Sequence, residues 1–288
     1  MKRMSWLVFL FSSAALPVGA QQAAPAAAFE AQLAAIQRSA LPDVDELIAA
    51  LSRTSDAQAQ LDAIKALSSQ MGGRDSSQQK KIVLALSEAA RADGNGVEVH
   101  EQALEALGRC VSWFTNPTAA ADAVETLCAA TRADDPAVRV YALRGLVTAS
   151  RKLPTCSQDL EARLTGTALD LSGRDQPPQE RFLAFMALGN YFNDRGPGIL
   201  YYRNDLLLRF QSVVLAPLEI NLRDFYANDR DMRLAAMRVL RVAAGLYQPD
   251  GQLRLRIRQV FQGMANSELE NDAILRQFAR SCADTIRI

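Results

Sequence analysis

Over most of the chain the apolar positions fall at separations of four, one and three, which draws a single stripe along a helix. The run "VRVYALRGL" (138–146) is the clearest copy, with Val138, Ala142, Leu143 and Leu146 on the stripe and Arg139 beside it. The same template fits "AQLDAIKAL" (59–67), "VHEQALEAL" (99–107), "ERFLAFMAL" (180–188), "MRLAAMRVL" (232–240) and, less closely, "ILRQFARSC" (274–282). Its second position falls on Gln60, His100, Arg139, Arg181, Arg233 and Leu275, at spacings of 40, 39, 42, 52 and 42. Each copy predicts one helix buried against neighbours along its stripe. Between copies lies room for a second helix, in 78–93, 117–134, 157–173, 200–228 and 251–265. Asn116-Pro117 and Asp135-Pro136 open helices, and Gly72-Gly73, Gly94 and Gly173 close them. No alternating strand pattern of useful length interrupts the series. The pattern predicts an all-α chain of stacked helical hairpins.

A repeat of about 40 residues carrying "DPAVRVYALRGL" resembles the HEAT family. Asp135, Pro136, Val138, Arg139, Ala142, Leu143 and Leu146 carry the match, and Asp229, Met232, Arg233, Ala236, Met237 and Leu240 carry the next best. The resemblance covers 56–288, with residues 21–55 as N-terminal capping helices, while Gln60 and Leu275 depart from the arginine at the second position. It implies an α-solenoid, a right-handed superhelix of about five to six HEAT-like hairpins, that binds other macromolecules. Within that scheme Arg139 becomes a repeat coordinate, expected to pair with Asp135 or its counterparts in neighbouring copies.

The first twenty residues stand apart. Lys2 and Arg3 precede an apolar run from Met4 to Leu16, followed by Pro17 and the small residues Val18-Gly19-Ala20. This is the pattern of a Sec-type signal peptide cleaved after Ala20. The run of 13 positions is short for a bilayer, which needs about 20. A periplasmic or secreted bacterial protein with no membrane span in the mature chain is therefore expected. Cleavage removes two bases and no acids, leaving 30 basic against 32 acidic residues. No nucleic-acid partner is expected from that balance. Residues 151–288 nevertheless carry 19 bases, 18 of them arginine, against 16 acids, so defined ion pairs are expected there, mostly between neighbouring helices.

No catalytic constellation emerges from the residues. His100 is the only histidine and occupies the arginine coordinate of the repeat, so a structural role is expected for it. No CxxC, HExxH, GxSxG, phosphate loop or dinucleotide fingerprint is present. Accordingly no catalytic residue, metal or cofactor is assigned. Cys110, Cys128, Cys156 and Cys282 allow three full pairings, of which Cys110 with Cys156 is the expected disulfide, since both fall at one edge of the solenoid.

The place to look for function is where the spacing breaks, between Arg181 and Arg233. That interval gathers Phe182, Phe185, Tyr191, Phe192, Tyr201, Tyr202, Phe210, Phe225 and Tyr226. Phe182 and Phe185 belong to the core on the template. Tyr201, Tyr202, Arg203 and Asp205 have the composition of an interface anchor and are the expected partner-binding residues. The expected function is a non-enzymatic protein-binding scaffold or assembly subunit in the periplasm, its partner another protein. An enzyme, or an enzyme's accessory subunit, with a groove site between repeats is the alternative; a nucleic-acid-binding solenoid comes third.

Overall fold

The computed structural model describes residues 42–287 except 54–55, 93, 112–116, 152–156, 221, 223–224, 226–228 and 246–250. Among the described residues every regular element is helical.

Six helices share one position at their start, and four of them fill it with the same chemical signal. Asp56, Asp135, Asp229 and Asp272 sit at the N-caps of α2 (Ala57–Gln70), α6 (Pro136–Ala149), α12 (Arg230–Ala243) and α14 (Ala273–Thr285), each side chain accepting from an N–H of the first turn. Gly96 and Pro177 precede α4 (Val97–Val111) and α8 (Pro178–Arg195) in the same place. In all six, the residue four after the cap donates its N–H to the cap carbonyl at 3.0–3.3 Å, and these residues are Gln60, His100, Arg139, Arg181, Arg233 and Arg276. The cap therefore corrects the template by one residue in the last copy. Arg276, not Leu275, holds the arginine coordinate, and Leu275 takes the buried position that Val138 takes in α6.

The second helices are α1 (Val44–Arg53), α3 (Ser76–Ala89), α5 (Pro117–Ala130), α7 (Gln158–Leu171) and α13 (Gln252–Asn266). In the fifth place a composite segment replaces a single helix. It consists of α9 (Gly198–Tyr202), α10 (Asn204–Phe210), a π-helical turn over Gln211–Leu215 and α11 (Ala216–Ile220). The single helix expected over 200–228 is broken at Arg203, whose φ of −122° and ψ of 90° are extended rather than helical. Part of the extra length in the long interval goes into α8, which has 18 residues against 14 in α6. Gly196 then turns the chain at φ 76°, a left-handed conformation that suits glycine.

The helices form two layers. In one, α2, α4, α6, α8, α12 and α14 each pack on the next; in the other, α1, α3, α5, α7, the composite segment and α13 do the same. Among the described residues this is an all-α solenoid of five hairpins, (α2, α3) to (α12, α13), flanked by α1 and α14. The template residues Val138, Ala142, Leu143 and Leu146 are buried, as are Met232, Ala236, Met237 and Leu240. Helix α1, expected within the capping segment 21–55, packs against α2 and α3 as the first described member of its layer; the expected signal peptide and residues 21–41 of the capping segment lie outside the described residues.

Two glycines let the stack come close. A Cβ built on Gly108 of α4 would lie 2.4 Å from the carbonyl oxygen of Gly145 in α6, and one on Gly145 would lie 2.5 Å from Leu127 Cδ2. Only hydrogen at these two positions lets the backbones approach so nearly.

Ion pairs then join consecutive members of each layer. Arg139 Nε meets Glu180 Oε1 at 3.0 Å, and Arg233 meets Glu270 at 3.1 Å. In the other layer Lys81 pairs with Asp45, Arg163 with Glu125, Arg209 with Asp170 and Arg256 with Glu219. Arg139 thus reaches a carboxylate of the next copy, and also donates to the carbonyls of Ala133 and Asp134. Asp135, the nearer candidate, is occupied in capping its own helix.

Candidate functional site

A groove of about 470 Å³ lies between α7 and the segment that follows the break at Arg203. Helix α7 supplies one wall through Asp159, Ala162, Arg163, Gly166, Thr167 and Asp170, a stripe at helical spacing. Arg203, Asp205, Leu206 and Arg209 supply the other, and Arg132 enters from the turn after α5. Gly166 forms part of the floor. A Cβ there would come within 3.4 Å of Arg209 Nη1 and 3.5 Å of Leu206 Cδ2, so a side chain at this position would fill the space.

Ion pairs cross the groove at both ends of α7. Near its start, Arg203 Nη1 lies 3.7 Å from Asp159 Oδ1 while Nε and Nη2 donate to both oxygens of Asp205 at 3.1 and 3.3 Å. Near its end, Arg209 Nη1 lies 3.1 Å from Asp170 Oδ1. The hydrogen bond from Arg203 holds the Asp205 carboxyl below the usual carboxylate range. Behind the floor, Cys128 is buried beside Thr167, and its burial raises the thiol pKa.

Of the residues expected to bind a partner, Arg203 and Asp205 line this groove together. Tyr202, at the end of α9, is 68% exposed. Tyr201 lies in α9 beside it. The other aromatics of the long interval mostly build core: Phe185, Tyr191, Phe192, Phe210 and Phe225 are buried and Phe182 packs partly against them, with Phe192 and Phe210 meeting edge to face at 6.4 Å between centroids. Tyr226 lies outside the described residues. Sequence reasoning missed Asp159, Gly166, Asp170 and Arg209. The signal available for two of them was spacing: Asp170 and Arg209 are opposite charges 39 residues apart, close to the length of one repeat.

The remaining candidates resolve into structure. His100 Nε2 donates to the carbonyl of Ala92 at 2.8 Å, closing a loop as Arg139 does. Cys110, Cys128 and Cys282 are buried free thiols, and Cys156, the expected partner of Cys110, lies outside the described residues. Burial pushes the Cys110 thiol up to about 12 and that of Cys282 to about 11. Among the described residues no group of three His, Cys, Asp or Glu side chains could hold a metal ion, and no helix is long and apolar enough to cross a membrane.

Comparison with solved structures agrees with this architecture. An archaeal HEAT-like repeats protein from Thermococcus onnurineus NA1 is 19% identical, with a TM-score of 0.54 over 89% of this chain and 91% of that one. A designed armadillo repeat protein in complex with the peptide (KR)4 is 13% identical, with a TM-score of 0.59 over 85% of this chain and 100% of that one. An engineered protein at 18% identity aligns with a TM-score of 0.57 over 86% and 99%. The fold is an all-α solenoid of helical hairpins, like those of these HEAT-like and armadillo proteins. No family model matches the chain, and no curated protein matches it. At these identities the likeness speaks for the fold alone.

Proposed function

We propose that this chain is a non-enzymatic protein-binding scaffold or assembly subunit of the periplasm, holding its partner at the groove between α7 and the α9–α10 segment. The observation that carries the reading is the coincidence of three features. The repeat spacing lengthens there, an ionic groove opens there, and the exposed Tyr202 stands next to Arg203 on its wall. A stack of rigid repeats supports such a role, because a preorganised surface loses little ordering entropy on binding. The peptide complex of the designed armadillo neighbour is a precedent for the fold, not for the partner. Export rests on Lys2, Arg3, the apolar run and Val18-Gly19-Ala20, with Gln21 as the mature N-terminus.

The test compares the wild-type chain with the Tyr202→Ala, Arg209→Ala double variant as immobilised baits for periplasmic extract. A protein retained in stoichiometric amount by wild type and lost from the variant, with both melting alike, is the expected result. Equal retention by both, or no stoichiometric partner, refutes the reading. Amino-terminal sequencing of the exported product checks cleavage after Ala20.

A further inference from the structure

Within the groove, donors outnumber acceptors. The three lining carboxylates are already engaged, Asp205 and Asp159 by Arg203 and Asp170 by Arg209. Arg132 is exposed and has no ion-pair partner among the described residues. A guanidinium carries five N–H donors, and the pairs that Arg203 and Arg209 make leave several of them unused. Those pairs are also exposed: Arg203 meets Asp159 only at 3.7 Å and Asp159 is 97% exposed, while Arg209 and Asp170 are 42% and 51% exposed. Exposed pairs of this kind hold their partners weakly, so an incoming carboxylate can replace them.

From this surplus we infer that the groove takes an acidic, extended segment of a partner protein. Arg132, Arg203 and Arg209 are its carboxylate anchors, and the Gly166–Leu206 floor gives the peptide backbone room. The inference rests on the reading of the groove as the partner site and adds the partner's chemistry. The dimensions agree with it. Eleven steps along α7 from Asp159 to Asp170 span about 16 Å, which an extended strand covers in about five residues. A basic segment would instead have to compete with Arg203 and Arg209 for the three aspartates and would place its charge beside Arg132. The chemistry is therefore the reverse of the basic peptide bound by the designed armadillo neighbour.

The experiment is fluorescence anisotropy of labelled penta-glutamate and penta-lysine titrated with the purified chain at low salt. Saturable binding of penta-glutamate, at least about tenfold tighter than that of penta-lysine and weakened by added salt, is expected. Arg132→Glu should weaken it about tenfold or more, and Arg209→Gln, which keeps a donor for Asp170, should weaken it less. Arg280→Glu, on α14 away from the groove, should leave it unchanged. No saturable binding of penta-glutamate, equal affinity for penta-lysine, or equal losses in Arg132→Glu and Arg280→Glu would overturn the inference. Displacement separates this failure from failure of the groove reading. If a partner is retained by wild type and lost from the groove variant, yet penta-glutamate does not displace it, the acidic chemistry is wrong and the groove assignment stands.

Discussion

Replacing Gly108 by alanine sets two effects of known sign against each other. Alanine in a helix interior is favoured over glycine by about 1 kcal/mol. The added Cβ, however, would lie 2.4, 2.6 and 2.8 Å from the carbonyl oxygen, Cα and carbonyl carbon of Gly145. Ordinary contact begins near 3.5 Å, so α4 and α6 must separate by about 1 Å. The obstructing atoms are backbone, so no rotamer change relieves the clash, and the cost falls near the upper end of the ~1–3 kcal/mol typical of overpacking. Net destabilisation of about 2 kcal/mol follows. Urea unfolding followed by circular dichroism measures it, with Gly94→Ala as the control, since nothing lies within 4 Å of a Cβ at Gly94. The control should unfold at the wild-type midpoint or slightly above it. Because a solenoid is held by nearest-neighbour interfaces, weakening the α4–α6 contact should also broaden the transition or split it in two. A Gly108→Ala midpoint at or above that of wild type, with the slope unchanged, would refute the claim that glycine sets the spacing of these layers.

Two further outcomes follow from the ionic and thiol chemistry. Glu180→Ala removes a buried carboxylate but leaves Arg139 its two carbonyl acceptors, so a loss of about 2–3 kcal/mol is expected; a double-mutant cycle with Arg139→Met that shows no coupling would sink the pairing. Burial raises the Cys110 and Cys282 thiols to about 12 and 11, so at pH 8 the reactive thiolate is scarce and iodoacetamide should leave both unlabelled in the native chain, with labelling appearing in urea. Rapid native labelling of Cys110 would contradict its burial, whereas resistance in urea until a reductant is added would reveal the disulfide to Cys156 expected from the sequence.

The fold was readable because one physical requirement recurs. A helix buried along one stripe must repeat its apolar spacing, and a helix that starts cleanly needs a cap, so Asp135 and Val138 to Leu146 announce themselves wherever they return. Partner choice is less readable, since it depends on what stacking brings near. Arg139 has Asp135 four residues away in sequence, yet that carboxylate is consumed by the Ala137 N–H, and Glu180 arrives from 41 residues on. The last copy hid its register because α14 packs against no following helix among those described. Arg280 therefore stands exposed at a coordinate that is leucine in α6, and the apolar template slides by one. In the long interval the polar triplet Arg203-Asn204-Asp205 is compatible with the solvated face of a helix, so periodicity alone gives no sign that the backbone at Arg203 is extended.

The same residue type does two jobs, and burial separates them. Arg139 and Arg233 expose 22% and 14% of their side chains and face carboxylates that are 3% exposed, so removing either partner strands a charge away from water. Those pairs belong to the stack. Arg203 and Arg209 expose 38% and 42% and face carboxylates that are half exposed or more, so water can replace either partner at little cost. An arginine that can let go of its aspartate is of little use as a latch but suits a binding wall. The repeat thus furnishes a graded series of guanidinium pairs, and the longer interval lifts one part of that series out of the packed interface. Reversing charge at Arg139 should cost stability before it alters any binding, while reversing it at Arg132 should alter binding with the stack intact.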